Sequence, residues 1–339
     1  MIREAIDTLV KKENLTRSKM IAVMEEIMNG KATPSQIASF LTALRCKGET
    51  VDEITGAAEV MRMKAESIKI SAKNILVDTC GTGGDEMNTF NISTVAAFVA
   101  AGAGIRIAKH GNRSVSSKCG SADLMEALGV NINMTPLNVS KCIEKIGIGF
   151  LFAPIFHKAM KHASLTRKEI GIRTIFNILG PLTNPASARA QVIGVYDSSL
   201  TESLAHVLKN LGTKEAMIIN GHPGMDEISI TGPTRVSHLK DGRVKNYTID
   251  PGEFGYSLRQ RERLGGGDVD RNREIAVSIL EGKKGFEREI VEINAAAAVL
   301  VGGGAQSLRE GIMAARNSID QGRAKKKLDD LVVFSNSVA

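Results

Sequence analysis

Cys80-Gly81-Thr82-Gly83-Gly84-Asp85 follows the apolar run Ile75-Leu76-Val77 and precedes a helix-forming run over 93–101. A strand therefore turns into a helix through glycines, and backbone amides converge there as they do around phosphate groups. Further along, Lys109-His110-Gly111-Asn112-Arg113-Ser114-Val115-Ser116-Ser117 follows a second short apolar run at 105–108. Ligands of open α/β sheets sit outside the carboxyl ends of the strands at a topological switch point. Both polar turns are accordingly expected at one edge of one sheet.

Working outward, short apolar runs alternate with helices from about residue 71, the signature of a parallel sheet covered by helices. Strands are expected at 75–78, 105–108, 130–133, 149–153, 191–196 and 216–220, with a hairpin over 236–249 centred on Asp241-Gly242. Helices are expected at 93–101, 121–128, 137–146, 156–170, 272–280, 288–301 and 307–328, and a loop at 259–267. Gly102, Gly129 and Gly147 read as left-handed stops after the three helices between the first strands. The first seventy residues read as wholly helical. Thr33-Pro34-Ser35-Gln36 and Thr50-Val51-Asp52-Glu53 match capping boxes, and Ile21, Met24, Ile27 and Met28 form one apolar stripe. The fold class is α/β: a small all-helical N-terminal domain and a larger α/β domain with a mainly parallel sheet.

The composition of 339 residues, 43% hydrophobic and 24% charged, permits a sizeable core and two domains. A net charge of +7 suits an anionic partner, but Lys and Arg are dispersed outside Lys325-Lys326-Lys327. With 4% aromatic residues and no Trp there is little base-stacking surface, so nucleic acid is not expected as a partner. No apolar stretch is long enough to cross a bilayer, and the start shows no signal region, which points to a cytoplasmic protein without a membrane partner. Cys46, Cys80, Cys119 and Cys142 lack paired metal-ligand spacing and read as free thiols.

The glycine turn is neither of two familiar nucleotide motifs. Glu86 stands where a dinucleotide fingerprint has its last glycine, and no Gly-Lys-Ser/Thr closes a P-loop. A polar loop through Asn88, Thr89, Asn91, Ser93 and Thr94 remains, and hydroxyls and amides at a helix start favour phosphate. Asp226-Glu227 follows the strand 216–220 and the turn Gly221-His222-Pro223-Gly224. Adjacent residues on a regular strand point to opposite faces, so both carboxylates reach one site only if the backbone there is irregular. Without a His/Cys cluster they suit magnesium bridged to substrate phosphates. His157, Met160, His162, Arg167 and Arg173 surround a helix and an apolar segment ending in Gly180-Pro181-Leu182-Thr183-Asn184-Pro185. Taken alone, a histidine such as His157 is more often a satisfied structural residue, and Arg167 also fits half of a surface ion pair.

In order along the chain, Asp78 to Asp85, Asn91-Ile92-Ser93-Thr94, Lys109 to Ser117, Arg173-Thr174-Ile175-Phe176-Asn177, Leu179-Gly180-Pro181-Leu182 and Asp226-Glu227-Ile228-Ser229 resemble the bacterial anthranilate phosphoribosyltransferases, over nearly the whole chain. The resemblance implies transfer of the phosphoribosyl group from phosphoribosyl diphosphate to the amine of anthranilate, giving N-(5-phosphoribosyl)anthranilate and diphosphate in tryptophan biosynthesis. It implies a helical domain of residues 1–70, completed around 156–185, an α/β domain of 71–155 and 186–339, and a homodimer through the helical domains. By the matching motifs, Gly81, Gly84, Asp85, Thr89, Asn91, Ser93, Thr94, Lys109, Ser117 and Ser121 would hold the donor, and Ile92, Gly111, Arg113, Ser114, Val115 and Ser116 would be further substrate-binding residues. Ser93, Asp226 and Glu227 would carry two magnesium ions per subunit. Asn112 and Arg167 would hold anthranilate, with His110, His157 and Pro181 lining its route, and Lys109 and Arg167 would serve catalysis by charge and by orientation.

Departures from the family pattern fall on the acceptor side. His157-Lys158-Ala159-Met160 stands for the common His-Pro-Ala-Met, and Leu165-Thr166-Arg167-Lys168 for Pro-Val-Arg-Arg. Pyrimidine nucleoside phosphorylases share the architecture and a related Lys-His/Ser motif, but the Cys80 to Gly83 loop and the Arg173 to Asn177 segment stand against them. A nucleic-acid-binding relative would lack the donor and metal residues this chain retains.

Overall fold

The computed structural model describes residues 1–71, 75–114, 118–256 and 264–338. Four helices come first: α1 (Ile2–Val10), α2 (Arg17–Met28), α3 (Pro34–Lys47) and α4 (Val51–Lys64). Both expected capping boxes close: Thr33 and Gln36 cap α3, and Thr50 and Glu53 cap α4. Orphan amides at each helix start thereby gain partners.

The remainder alternates: β1 (Leu76–Asp78), α5 (Ile92–Gly102), β2 (Arg106–Gly111), α6 (Ser121–Ala127), α7 (Pro136–Ile146), β3 (Ile148–Phe152), α8 (Ala153–Phe156), α9 (Lys161–Ile170), α10 (Phe176–Leu182), β4 (Ala190–Gly194), α11 (Leu200–Asn210) and β5 (Glu215–Gly221). The hairpin β6 (Thr234–Lys240) and β7 (Arg243–Ile249) precedes α12 (Val269–Leu280), α13 (Phe286–Val301), α14 (Leu308–Asp320) and α15 (Arg323–Ser337). The seven strands run in the order β3-β2-β1-β4-β5-β6-β7, the first five parallel and the last two antiparallel. The order reverses at β1 and β4, which is the switch point.

Strand residues alternate between two cores because successive side chains leave opposite faces of a sheet. Val192, Met217 and Ile219 pack with α5 and α13, whereas Ile193, Ala216 and Ile218 join the apolar residues of α2, α3, α4 and α11. Both faces are covered, so the strands read as continuous apolar runs.

Four local expectations are corrected. Residues 130–133 form a turn, not a strand: Val130 and Ile132 are buried, while the Asn131 amide donates to Ser335 Oγ at 3.0 Å and Asn131 Oδ1 accepts from the Asn133 amide. The alternation there serves docking on α15, and β3 takes the sheet edge. Gly102 lies inside α5 with no left-handed turn; an added Cβ would stand 2.3 Å from Ser318 Oγ, so close helix contact explains the glycine. Gly129 and Gly147 do adopt φ of +89°. The expected helix over 156–170 is interrupted by a 3-10 turn at Lys158–Met160, and that over 307–328 breaks at Gly322, whose φ is +67°. Of the expected loop 259–267, residues 259–263 lie outside the described residues.

Candidate active site

The loop after β1 and the turn after β5 meet at the switch point. The Thr82 amide donates to the Gly194 carbonyl at 2.8 Å, and the Gly83 amide donates to Asp226 Oδ2 at 3.0 Å. Glycine is required by proximity: a Cβ on Gly81 would lie 2.9 Å from Asp226 Oδ2, and one on Gly194 would lie 1.5 Å from the Asp226 carbonyl oxygen. Asp85 accepts from the amides of Met87 and Asp226. Gly83 and Gly84 take positive φ, and the Arg173 guanidinium, stacked on Tyr196, holds the Gly84 carbonyl and pairs with Glu86.

Asp226 and Glu227 reach the same crevice because the backbone after β5 is irregular, as the adjacent carboxylates require. Gly221 bridges back to Met225, and the two acidic residues lie outside any strand. Glu227 Oε1 accepts from the Ser93 amide at 3.0 Å, at the start of α5. Removal from water, followed by the Asp85 charge, pushes Asp226 up to about 7. Removal from water and the Asp226 charge likewise raise Glu227. A crevice that penalises these carboxylates is short of positive charge. Together with the Ser93 hydroxyl they form the hard oxygen set that suits a magnesium ion. A small pocket is lined by Thr79, Gly81, Ser93, Val192, Asp226 and Glu227.

β2 runs further than expected, so Lys109, His110 and Gly111 are strand residues rather than part of an exposed turn. Lys109 is buried, and its Nζ donates to the Thr79 carbonyl at 2.9 Å and stands 3.5 Å from Ser93 Oγ. The two polar segments thus come together across one crevice. Asn91 donates to the Cys119 carbonyl and is held in turn by Asn272. Thr89 bridges to Gly265, Ile92 and Thr94 are buried within α5, and Ser121 Oγ donates to the Asn112 carbonyl. A Cβ on Gly111 would meet that Ser121 hydroxyl at 2.3 Å.

Arg113 is placed differently from a free phosphate ligand. Its guanidinium pairs with Asp123 and Glu126 of α6 and lies over Phe152. The Ser114 amide donates to Asp123 Oδ2 at 3.1 Å. Val115, Ser116 and Ser117 lie outside the described residues.

The segment 157–181 supplies a second wall. His110 Nδ1 lies 3.2 Å from the Gly180 carbonyl, the His110 and His157 rings are 5.1 Å apart, and the Pro181 carbonyl accepts from Gln191. Arg167 stacks on Phe176 at 5.0 Å, and burial lowers its pKa. Asn112 projects from the end of β2, with its Oδ1 accepting from the Arg113 amide.

Several supports escaped the sequence reading. Asp78 is buried and accepts from the His110 amide and from Asn184 Nδ2, which also donates to the Ala108 carbonyl; loss of hydration pushes Asp78 up to about 6. Oxygen of Asp78, Cys80 Sγ and a ring nitrogen of His110 lie within 4.8 Å of one another, but the carboxylate is occupied by those donors. Asn294 pins the acidic turn by accepting from the Ile228 amide at 2.8 Å. A lone Asn within the apolar run of α13 was the available signal. A larger cleft of about 730 Å³ opens among Arg45, Arg173, Tyr196, Asn220 and Arg235. Asp197 and the Glu86 partner of Arg173 offset its charge, and the converging carboxylates lie elsewhere.

Residues 3–65 match a family model described as the glycosyl transferase family helical bundle domain, and residues 73–325 match the glycosyl transferase family a/b domain. The chain is 54% identical over 338 residues to an anthranilate phosphoribosyltransferase of Alkaliphilus metalliredigens, covering 100% of this chain and 99% of the relative. It is 55% identical over 337 residues to that of Acetivibrio thermocellus, covering 99% and 97%. The crystal structure of the Thermus thermophilus enzyme superposes with a TM-score of 0.93 at 39% identity, covering 98% of this chain and 99% of that one. The Saccharomyces cerevisiae enzyme in complex with PRPP and Mg superposes with a TM-score of 0.90 at 30% identity, covering 99% and 98%. With a helical bundle packed on a mostly parallel sheet and likeness along its whole length, the chain belongs to the anthranilate phosphoribosyltransferase family.

Proposed function

We propose that the crevice between the glycine loop, β2 and the Asp226-Glu227 turn holds phosphoribosyl diphosphate, and that the wall from His157 to Pro181 receives anthranilate. As a member of its family the chain is a glycosyltransferase that moves the phosphoribosyl group from this donor to the anthranilate amine, releasing diphosphate, in tryptophan biosynthesis. The observation that carries the site reading is the Gly83 amide bonded to Asp226, which brings the anion cradle and the carboxylates together.

In this reading Gly81, Gly84, Asp85, Thr89, Asn91, Ser93, Thr94, Lys109 and Ser121 surround the donor, and Asn112 and Arg167 orient the acceptor. Val115, Ser116 and Ser117 are proposed as further donor contacts. Ser93, Asp226 and Glu227 would hold magnesium, supported by their oxygen donors and raised carboxylate pKa values. Bound there, magnesium would offset charge on the diphosphate. Lys109, fixed by Thr79, contributes a buried positive charge close to the leaving group, where negative charge grows most in the transition state. The loop amides supply further preorganised dipoles. Arg167 offers a fork of donors to the anthranilate carboxylate and holds the amine toward ribose C1. An aromatic amine is already a nucleophile, so no covalent enzyme intermediate is required.

The proposed domain division is 1–70 with 156–185 against 71–155 with 186–339, supported by α9 packing on α2 and α3 and by α10 packing on α4. Exposed Val10, Leu165 and Ile172 on that helical part support pairing with a second copy of the chain. A cytoplasmic location accords with a biosynthetic enzyme in which no helix among the described residues is long and apolar enough to cross a membrane.

Anthranilate is fluorescent, so its signal should fall when the protein is mixed with phosphoribosyl diphosphate and magnesium. Persistence of the signal, with no donor uptake by calorimetry, would overturn the reading.

A further inference from the structure

We propose that His110 and His157 act as a pair of neutral imidazoles whose bare Nε2 atoms take the N–H of the anthranilate amine and receive the proton it must lose. The inference rests on the acceptor wall described above. Both side chains are nearly enclosed, 4% and 7% exposed, and each leaves its Nε2 buried without a hydrogen-bond partner among the described residues. Unpartnered polar atoms in such a place cost stability unless a ligand or water completes them. On the opposite side His110 Nδ1 faces the Gly180 carbonyl at 3.2 Å, and the Thr183 backbone carbonyl is the group that favours a ring N–H in His157. A carbonyl accepts only, so each Nδ1 carries the hydrogen and each Nε2 is left as an acceptor. The two ring centroids stand 5.1 Å apart, so the rings are neighbours.

Removal from water holds both rings neutral. Burial pushes His110 down to about 3 and His157 to about 4; for His110 the neighbouring His157 and Lys109 add to the effect. Asp78 is the nearby carboxylate, but it is spent on the His110 amide and Asn184, and burial raises the Cys80 thiol so that it stays protonated.

The amine lone pair forms the bond to ribose C1 while the C1–O bond breaks and its electron pair leaves with diphosphate. Nitrogen is then an N-substituted anilinium with one proton in excess, which moves to Nε2 and onward to solvent as product departs. An anilinium is far more acidic than an alkylammonium because its neutral form delocalises the lone pair into the ring. A weakly basic imidazole is therefore matched to this acid, whereas it would be a poor base toward a lysine or an alcohol.

The test uses full-length protein labelled with ¹⁵N in histidine, beginning with wild-type turnover of anthranilate. Long-range ¹H–¹⁵N spectra from pH 5 to 8 should show both residues with hydrogen on Nδ1 and none on Nε2. Anthranilate, added with diphosphate and magnesium, should move both Nε2 signals; benzoate, which lacks the amine, should bind without moving them. In single-turnover kinetics His110→Asn with His157→Asn should lose about 100-fold in rate, with little change in half-saturating anthranilate. A more electron-poor anthranilate, whose anilinium sheds its proton readily, should lose less. Hydrogen on either Nε2, equal responses to anthranilate and benzoate, or a loss confined to half-saturation would overturn the proposal. A wild-type protein that fails to consume anthranilate would instead overturn the acceptor site itself.

Discussion

The Ser93 amide donates to Glu227 Oε1 at 3.0 Å, joining the start of α5 to a turn 134 residues later in the chain. This one bond places a carboxylate at a helix N-terminus, where the helix dipole favours negative charge. It also puts the Ser93 hydroxyl, Lys109 and the acidic turn within one crevice.

Asp226→Asn with Glu227→Gln should separate catalysis from stability. Turnover should fall at least about 100-fold, and the magnesium needed for half-maximal rate should rise. Melting temperature without magnesium should hold or increase, because crowding of Asp85, Asp226 and Glu227 is relieved. A magnesium titration and a thermal melt of the same variant check both halves.

Arg167→Ala removes a guanidinium that stacks on Phe176 and is proposed to grip the anthranilate carboxylate. A hydrogen bond to a charged group is worth about 1.5–3 kcal/mol, so KM for anthranilate should rise roughly 10- to 100-fold. KM for the phosphoribosyl donor should stay within about twofold, the scatter of an effect well under 1 kcal/mol. Steady-state kinetics varying each substrate in turn reads the difference.

Gly81→Ala tests the close approach of the glycine loop. The new Cβ would lie 2.9 Å from Asp226 Oδ2 and 3.3 Å from the Gly194 carbonyl, so loop or carboxylate must shift. Overpacking of this kind costs about 1–3 kcal/mol, and donor affinity measured by calorimetry should fall with it. Gly83→Ala has open space but a φ of +64°, so its cost should be backbone strain of about 1 kcal/mol.

Acidification should destabilise the protein through its neutral histidines. The folded-state pKa of His157 is near 4 against an unfolded value near 6.5, so the unfolded chain binds the extra proton between these limits. Its stabilising effect is therefore fully present above about pH 6.5 and is lost as pH falls toward 4. The difference amounts to about 3 kcal/mol. Denaturant unfolding of wild type and His157→Gln at pH 4.5 and 7 should show a smaller acid loss in the variant.

The α/β class, the helical start and the two polar turns were legible because they rest on local chemistry. Apolar periodicity, Thr-x-x-Gln and Thr-x-x-Glu caps, and glycines between strand and helix carry their meaning within a few residues. Misreadings arose where local patterns were satisfied by distant partners. The alternation at 130–133 serves α15, and Gly102 yields to Ser318 rather than to a turn.

By itself the sequence determined which glycines, hydroxyls, cations and carboxylates are available to a site, and in what order they occur along the chain. Only the tertiary structure decided that Gly83 touches Asp226, that Lys109 is a buried strand residue held by Thr79, and that Asn184 and Asn294 brace the site. Such contacts span many tens of residues, and they are selected by sheet order and by the need of each buried polar atom for a partner.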